Sequence, residues 1–458
     1  MRILLVGNGP LPDENTPKRY AAGLRTWQLF SALQNDKAAG QSANHQIHLV
    51  TIAEPNAYDD TDSPDPTAQP PEISQITPDC NRYNFHKKDR RLKSKLQKLI
   101  NTQKPDVIIA ANNHPSYLVS KLKFKVPFWA DLNGWLPAEV QAQAYRMQSD
   151  AFIPHFHKMQ DTILRRADKF STVSTPQQHA ITGQLASIAR LNSKTFGYQF
   201  IHSIPNSPYP QTKTQSPNIE TLGAIPQGGK AFNLFWLGGY NTWVDQETLF
   251  HGVDAAMKRH PNLYYISTGG GLTGLDSSTY ETFKQLVNKS PHKDRYIFLG
   301  WVHSADIPHI YSKVHAGLNI DLPCDETTMG ARNRLNEMLS FSLPVITTLG
   351  SEISYQIQEH HAGLTIPQRD SNALASAITT LIDSHQLAPT PTPTPIPPTQ
   401  PLDFIKAHCL PEITTAPLLH WLQNPALAPD HNYKIRLKSP LNTLAKIAKY
   451  LKVKHFSK

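Results

Sequence analysis

Short apolar runs alternate with longer mixed intervals along the first half of the chain. These runs occupy residues 2–6, 47–52, 107–111, 126–130, 170–173 and 200–204. Intervals of helix length between short apolar strands are typical of crossover connections in a parallel sheet. The pattern therefore predicts that residues 1–207 form an α/β domain.

The same pattern returns after residues 208–230, which are rich in Pro, Thr, Gln and Gly and have no apolar periodicity. That composition predicts a linker between two domains. Five further apolar runs follow, at residues 232–237, 263–267, 296–299, 316–320 and 343–347. Residues 231–385 are thus predicted to form a second open α/β sheet, and two domains imply a cleft between them.

The last part of the chain differs in composition from both domains. Residues 386–402 include a run of alternating Pro and Thr, which predicts an extended linker because proline lacks the amide donor and fixes φ. Residues 403–458 are predicted to be a helical basic tail. Its last segment repeats apolar residues at helical spacing among lysines, namely Leu441, Leu444, Ile447 and Leu451. We predict that this tail contacts an anionic membrane surface, and packing on the core as a basic helix is the alternative.

Charge and cysteine content narrow the class of protein. The net charge of +9 over 458 residues favours an anionic partner, which can be nucleic acid, lipid or a phosphate-bearing substrate. The densest basic run, residues 87–98, has no nucleic-acid-binding motif beside it, so it is interpreted as a solvated helix and no nucleic-acid partner is predicted. Three widely spaced cysteines indicate neither a zinc site nor a disulfide framework. No apolar run is long enough for a signal peptide or a membrane span, so a cytoplasmic location is predicted.

Glycine-bearing loops follow the first strand of each domain. Gly7-Asn8-Gly9-Pro10 lacks the spacing of the dinucleotide fingerprint GxGxxG, so we expect Gly9 to let the backbone approach a ligand and predict no dinucleotide cofactor. In the second domain, the loops after the first two strands supply candidate ligand contacts. They are Gly238, Gly239, Tyr240, Asn241, Trp243, Gly269 and Gly270. Core packing is the alternative for Trp243.

A carboxylate follows the fourth apolar run of the first domain. Asp131 stands where that strand is predicted to end, and open α/β sheets bind ligands at the carboxyl ends of their strands. Asp131 is therefore a candidate site residue. A turn or a helix cap is the alternative, since Asp at a strand end often accepts hydrogen bonds from nearby backbone.

The most specific stretch runs from residue 321 to residue 347. A strand is predicted to end in carboxylates that include Glu326, and Thr327 or Thr328 is predicted to cap the helix that follows. Gly330 is expected to let an anion approach the amino-terminal amides of that helix. Arg332 and Arg334 add positive charge there, but they lie two positions apart and are expected to project from different faces.

Several motifs in this order resemble family 4 glycosyltransferases of the GT-B class. They include Glu337-Met338-Leu339 followed by Leu343-Pro344-Val345, together with residues 166–168, 171–174, 204–206 and 298–302. The resemblance extends over most of residues 1–385. It implies a GT-B fold, in which two Rossmann-like domains face each other across a cleft. It also implies retaining, metal-independent transfer of a hexose-type sugar from a nucleotide-diphosphate sugar to a glycan or lipid-linked acceptor, in cell-surface polysaccharide synthesis.

The resemblance also assigns roles to residues. Glu337 matches the Glu that holds the nucleotide ribose, whereas Met329 stands where the family has the Glu that contacts the sugar, so Glu326 is expected to replace it. The family's Arg and Lys after the first strand of the second domain are absent. Arg332 or Arg334 is therefore expected to neutralise the diphosphate, and Asp131 to contact the acceptor. A catalytically silent scaffold, a sugar-nucleotide epimerase and a phosphorylase remain alternatives on the same frame.

Overall fold

A computed structural model describes residues 1–14, 20–38, 45–53, 74–77, 80–210, 222–228, 231–271, 276–386 and 399–433. Much of the predicted linkers, and the lysine-rich end of the predicted tail beyond residue 433, lie outside the described residues. Two sheets account for the strands that are described, one in each half of the chain.

The first sheet has eight strands in the order β3-β4-β2-β1-β5-β6-β7-β8, and all pairings are parallel except that of β3 with β4. The strands are β1 (Arg2–Gly9), β2 (Gln46–Ala53), β3 (Ser74–Thr77), β4 (Cys80–His86), β5 (Val107–Ala110), β6 (Phe128–Leu132), β7 (Lys169–Thr172) and β8 (Ile201–Ser203). The sequence pattern missed β3 and β4. Polar residues dominate β4, which is only half-buried along most of its length, so it has no apolar run.

The second sheet has six parallel strands in the order β11-β10-β9-β12-β13-β14. The strands are β9 (Phe232–Trp236), β10 (Leu263–Thr268), β11 (Tyr296–Gly300), β12 (Ala316–Asn319), β13 (Val345–Thr348) and β14 (Gly363–Ile366). The first five lie where the apolar runs predict them, and β14 was missed. The prediction of an α/β protein with two Rossmann-like domains is confirmed.

Helices cover both faces of each sheet. In the first half they are α1 (Ala21–Ala38), α2 (Leu92–Gln103), α3 (Asn113–Ser120), α4 (Leu136–Met147), α5 (Ile153–Leu164) and α6 (Thr175–Ser187). In the second half they are α7 (Gln246–Arg259), α8 (Ser278–Asn288), α9 (Ile307–Tyr311), α10 (Asp325–Met329), α11 (Asn333–Ser340), α12 (Glu352–Glu359) and α13 (Ser371–Gln386). Three more follow, α14 (Gln400–His408), α15 (Pro411–Thr414) and α16 (Ala416–Leu422).

The central strands are apolar on both faces because each face is covered by helices. In β1, the side chains of Ile3, Leu4, Leu5 and Val6 are all buried, and they divide between the cores on the two faces of the sheet. Parallel strands point the same way, so the loops that follow them gather at one edge of each sheet. This geometry brings the loop residues of both domains towards a common cleft.

Residues 399–433 pack against both domains. Phe404 and Ile405 of α14 belong to the core of the second domain, whereas Leu418 and Trp421 of α16 belong to that of the first. The ring of Trp421 lies 5.3 Å from that of Trp129 on β6. The described part of the predicted tail is therefore integrated into the fold.

We expect Trp421→Ala to lower the free energy of unfolding by about 3–5 kcal/mol, because it opens a cavity between α16 and the first sheet. Urea denaturation followed by circular dichroism measures this change. Phe196→Ala is the control, since Phe196 is 95% exposed and its loss should change the unfolding free energy by less than about 0.5 kcal/mol. Equal effects of the two substitutions would show that α16 does not contribute to the core.

Candidate active site between the two domains

A cleft of about 410 Å³ lies between the loop edges of the two sheets. The first half of the chain lines it with Ala21, Leu24, Asn133, Gly134, Glu139, Asn206 and Tyr209. The predicted site residues that line it from the second domain are Gly238, Gly239, Asn241, Trp243, Gly269, Glu326, Gly330, Arg332, Arg334 and Glu337. Four predicted site residues, Gly9, Asp131, Tyr240 and Gly270, do not line it.

Hydrogen bonds join the two walls beside the cleft. Ser174 donates through its hydroxyl to the carbonyl of Met329 at 2.6 Å. The backbone N–H and hydroxyl of Thr175 donate to the two carboxylate oxygens of Glu352 at 2.6 and 2.9 Å. Both contacts run from the start of α6 to the second domain, so the width of the cleft is fixed in this structure.

Arg332 is held between two buried carboxylates. Its Nε lies 2.6 Å from Asp321, and its Nη2 and Nη1 lie 2.8 and 3.2 Å from the two oxygens of Glu326. Burial alone would lower the pKa of Arg332, but Asp321 and Glu326 more than offset burial and raise it. All three guanidinium nitrogens donate within the protein, and two carboxylates outweigh one cation. Arg332 therefore does not supply free positive charge for a diphosphate, which corrects its predicted role.

Gly330 makes room for this ion pair. A Cβ at position 330 would lie 2.3 Å from Oε1 of Glu326 and 2.9 Å from Nη1 of Arg332. The lack of a side chain at position 330 therefore leaves room for the ion pair between Glu326 and Arg332. Thr327 and Thr328 lie inside α10, a separate short helix, so neither caps α11. That correction arises because Gly330 divides the stretch into two helices.

The amino terminus of α11 opens onto the cleft. Its N-cap residue is Arg332, and no side chain caps it with a hydrogen bond. The first turn carries Arg334, whose Nη2 donates to the carbonyl of Gly239 at 2.8 Å and whose guanidinium lies 4.1 Å from the ring centre of Trp236. Its Nη1 is buried and has no hydrogen-bond partner among the described residues. Burial lowers the pKa of Arg334, so an anion bound beside it would stabilise its charge.

The glycine loops of the second domain pack closely against each other. Gly238 and Gly269 both have a φ of +81°. A Cβ at position 269 would lie 2.4 Å from the carbonyl carbon of Gly238. Only glycine fits both the left-handed conformation and this approach, so the two loops form a shared backbone surface in the cleft.

Tyr240 and Gly270 belong to the core beneath that surface. The Tyr240 ring stacks on Trp236 at 4.9 Å, and its hydroxyl shares hydrogen bonds of 2.8 Å with Tyr265 and Ser267. Burial raises the pKa of Tyr240, which keeps the hydroxyl neutral. The carbonyl of Gly270 accepts a hydrogen bond from the backbone N–H of Tyr240 at 3.1 Å. Tyr240 and Gly270, which the sequence predicts to contact the nucleotide-sugar donor, instead make contacts within the protein core.

Asp131 is fully buried at the end of β6. Its oxygens accept hydrogen bonds from Nε and Nη2 of Arg25 at 3.0 and 2.6 Å, from the Ser171 hydroxyl at 2.6 Å and from the backbone N–H of Asn112 at 3.2 Å. No oxygen is directed into the cleft, so the predicted acceptor contact is corrected to a structural ion pair. Gly9 also lies outside the cleft, because β1 continues to this residue.

We expect Asp131→Asn to lower the free energy of unfolding by about 3–5 kcal/mol, because it leaves the buried guanidinium of Arg25 without a countercharge. Chemical denaturation measures this loss. Asp106→Asn is the matched control: Asp106 pairs with Arg2 at 3.1 Å, but both side chains are about half exposed, and the expected loss is about 1 kcal/mol or less. A loss at position 131 no larger than that at 106 would contradict the structural role.

Sequence reasoning missed several residues that line the cleft. Leu237, Trp301, Val302 and Ile307 form an apolar part of its wall, and Trp301 is 43% exposed there. The signal was present for Trp301 and Val302, because they follow the β11 strand within the motif of residues 298–302 that carries the family resemblance. Their place at a strand end on the cleft edge marks them as candidate ligand contacts.

Glu139, in the first turn of α4, is a further cleft residue that the sequence analysis missed. Burial, followed by the nearby charge of Glu326, raises the pKa of Glu139 to about 8. An acid in the first turn of a helix usually stabilises the helix dipole, which gave no reason to single it out. Only the folded structure shows that it faces the second domain.

Comparisons with known proteins agree with this fold. Residues 231–384 match the model of the family described as glycosyl transferases group 1. Sucrose-phosphate synthase from Thermosynechococcus elongatus superposes with a TM-score of 0.62 at 15% identity, covering 93% of this chain and 100% of that one. No curated protein sequence matches the chain.

Two other solved structures extend the comparison. A trehalose-6-phosphate synthase, studied for glycosyltransfer with retention, has a TM-score of 0.58 at 11% identity, with 92% of this chain and 99% of that one covered. Anabaena HepE in complex with UDP and glucose has a TM-score of 0.57 at 15% identity, with the same coverage. The fold and the cleft define the GT-B class. Residues 231–384 resemble group 1 glycosyltransferases, in agreement with the family resemblance of the sequence motifs.

Proposed function

We propose that this chain transfers a hexose-type sugar from a nucleotide-diphosphate sugar to a hydroxyl-bearing acceptor, with retention of configuration and without a metal ion. The observation that carries the proposal is the buried Nη1 of Arg334, which lacks a partner among the described residues and lies beside the uncapped start of α11. A diphosphate would satisfy both groups at once.

This arrangement suits the chemistry of sugar transfer. Cleavage of a glycosyl phosphate bond places negative charge on the departing diphosphate, and donors already aimed at that charge lower the barrier. Arg334 and the helix amides are such donors, and the backbone of Gly238 and Gly239 allows close approach. These groups would supply the charge stabilisation that a metal ion provides in other transferases.

The apolar part of the cleft suits the nucleoside. Trp301 offers a flat surface for stacking a base, flanked by Val302 and Ile307. Glu337, four residues after Asn333 at the start of α11, lies in the same cleft and would hold the ribose hydroxyls, as the family resemblance implies. The complex of HepE with UDP and glucose supports a nucleotide sugar as the donor class.

The acceptor and cellular setting follow from the resemblance. We propose a glycan or lipid-linked acceptor, retention as studied in the trehalose-6-phosphate synthase, and a role in cell-surface polysaccharide synthesis. None of the helices in the described ranges is both long and apolar enough to cross a bilayer. Peripheral contact with the cytoplasmic membrane face is proposed through the lysine-rich end of the chain, beyond residue 433, where each Lys near anionic lipid contributes about 1 kcal/mol.

A thermal-shift panel of nucleotide sugars and free nucleotides tests the donor class. A ligand that binds only the native state at a hundred times its Kd adds about 2.7 kcal/mol of stability, so the correct nucleotide should raise the Tm clearly. Product analysis with the stabilising donor and candidate acceptors then measures transfer and anomeric configuration. Absence of any shift across uridine, guanosine, adenosine and thymidine diphosphates and their sugars would overturn the proposal.

A catalytically silent scaffold is the second candidate. It is favoured by Met329 at the position of the family's sugar-contacting Glu, and by the engagement of Glu326 with Arg332. A sugar-nucleotide epimerase on the same frame would convert the donor without an acceptor. Donor binding without turnover identifies the scaffold, and donor conversion without transfer identifies the epimerase.

We expect Arg334→Ala to reduce kcat for donor cleavage about a hundredfold, because it removes one preorganised donor to the departing diphosphate. Steady-state kinetics and nucleotide-diphosphate binding measure the loss. Arg165→Ala is the control, since Arg165 is an exposed arginine in a surface ion pair with Asp161. Unchanged turnover in Arg334→Ala would show that the diphosphate binds elsewhere.

A further inference from the structure

Glu139 projects from the first domain onto the wall of the cleft. It lies in the first turn of α4, and its carboxyl group occupies the space over Gly134. A Cβ at position 134, where φ is +96°, would lie 1.9 Å from Oε1 of Glu139. The absence of a side chain at position 134 therefore leaves room for this carboxyl group.

Three carboxyl groups of the described residues line the cleft, and they differ in their partners. Glu326 is paired with Arg332 through both oxygens, and Glu337 also has an interaction within the protein. The carboxyl group of Glu139 forms no hydrogen bond or ion pair with any of the described residues. A partly buried carboxyl group without a partner is costly, and a hydroxyl-bearing ligand in the cleft would offset that cost.

The position of Glu139 relative to the second domain indicates which ligand group it meets. α4 contacts α10, the short helix that carries Glu326, so Glu139 and Glu326 belong to opposite walls of the cleft. The start of α11, where we place the diphosphate, lies beside Glu326 through Arg332. The sugar attached to that diphosphate would thus lie near the gap between the two walls.

We propose that Glu139 binds a hydroxyl group of the donor sugar and thereby determines which sugar the cleft accepts. This inference rests on the proposed function. Enzymes that hydrogen-bond a substrate hydroxyl discriminate strongly against analogues that lack it, because the buried protein group is then left unpaired. No sequence motif assigns this role to Glu139, and Met329 leaves the family's own sugar-contacting position without a carboxylate.

The protonation state of Glu139 supports the contact. Burial and the charge of Glu326 raise the pKa of Glu139 to about 8, so at neutral pH most molecules carry a carboxylic acid here. This form both donates and accepts hydrogen bonds, as a sugar hydroxyl requires. The other charged groups of the same cleft are Arg332, Arg334 and Glu337. As the pH rises through about 8, Glu139 loses its proton and can no longer donate a hydrogen bond to a sugar hydroxyl.

The test compares Glu139→Ala and Glu139→Gln with the wild type. The probes are UDP, GDP and ADP, and UDP-glucose, GDP-mannose and ADP-glucose, measured by calorimetry and steady-state kinetics between pH 6.5 and 9. Glu247→Gln is the matched control, because Glu247 is an exposed acid in the first turn of α7 and does not line the cleft.

We expect Glu139→Ala to bind the free nucleotide like the wild type but to raise KM for the matching nucleotide sugar at least about tenfold. Glu139→Gln should stay within about threefold of the wild type at pH 7, because the amide keeps a donor and an acceptor. The KM of the wild type should rise between pH 7 and 9, whereas that of Glu139→Gln should stay flat.

Three results would overturn a proposal, and they are distinguishable. If no probe binds the wild type, the proposed function fails and this inference fails with it. If nucleotides bind but Glu139→Ala leaves nucleotide-sugar binding and KM unchanged, only the inference fails. The third result is that Glu139→Gln is as inactive as Glu139→Ala while the wild-type rate rises through pH 8. In that case Glu139 acts as a base, and the proposed hydrogen bond to a hydroxyl group of the donor sugar is wrong.

Discussion

The candidate site depends on the pairing of Arg332 with two buried carboxylates. A charge removed from water must be paired, and here Asp321, two residues after the β12 strand, and Glu326 in α10 supply the partners. Three elements thereby become one unit, since the strand end, the short helix and the start of α11 share the same guanidinium. Gly330 is part of this constraint, because any side chain there would collide with the pair.

That pairing divides the work of the two arginines. The guanidinium of Arg332 is fully engaged by Asp321 and Glu326, so it holds the loop in shape but adds no free positive charge to the cleft. Arg334, two residues further along the chain, forms no ion pair with a carboxylate among the described residues. Its guanidinium packs on Trp236 and donates to one backbone carbonyl, which leaves Nη1 available. Arg334 and the amides at the start of α11 therefore place positive charge where a diphosphate would bind.

The sequence predicted the elements of the fold better than the partners within the site. Apolar runs mark strands that are buried on both faces, but they cannot mark β4, whose polar residues are half-buried near an edge. The motif around Glu337 lies on the cleft wall. By contrast, Asp131 meets Arg25 across 106 positions, and the choice between Arg332 and Arg334 depends on carboxylates that spacing cannot place. The sequence could not identify Glu139 as a site residue, because only the folded chain places the second domain opposite it.

Asp131 still acts on the site through a chain of hydrogen bonds. Arg25, fixed by Asp131, donates to Asn206 at 3.1 Å, and Asn206 donates to Asn333 at 2.6 Å. The carbonyl of Asn206 also accepts a hydrogen bond from Asn336 at 2.6 Å, so both contacts end on α11. Because these polar links are buried or partly buried, a shift in any of them leaves a donor or an acceptor unsatisfied. The core of the first domain therefore positions the helix of the second domain that would receive the diphosphate.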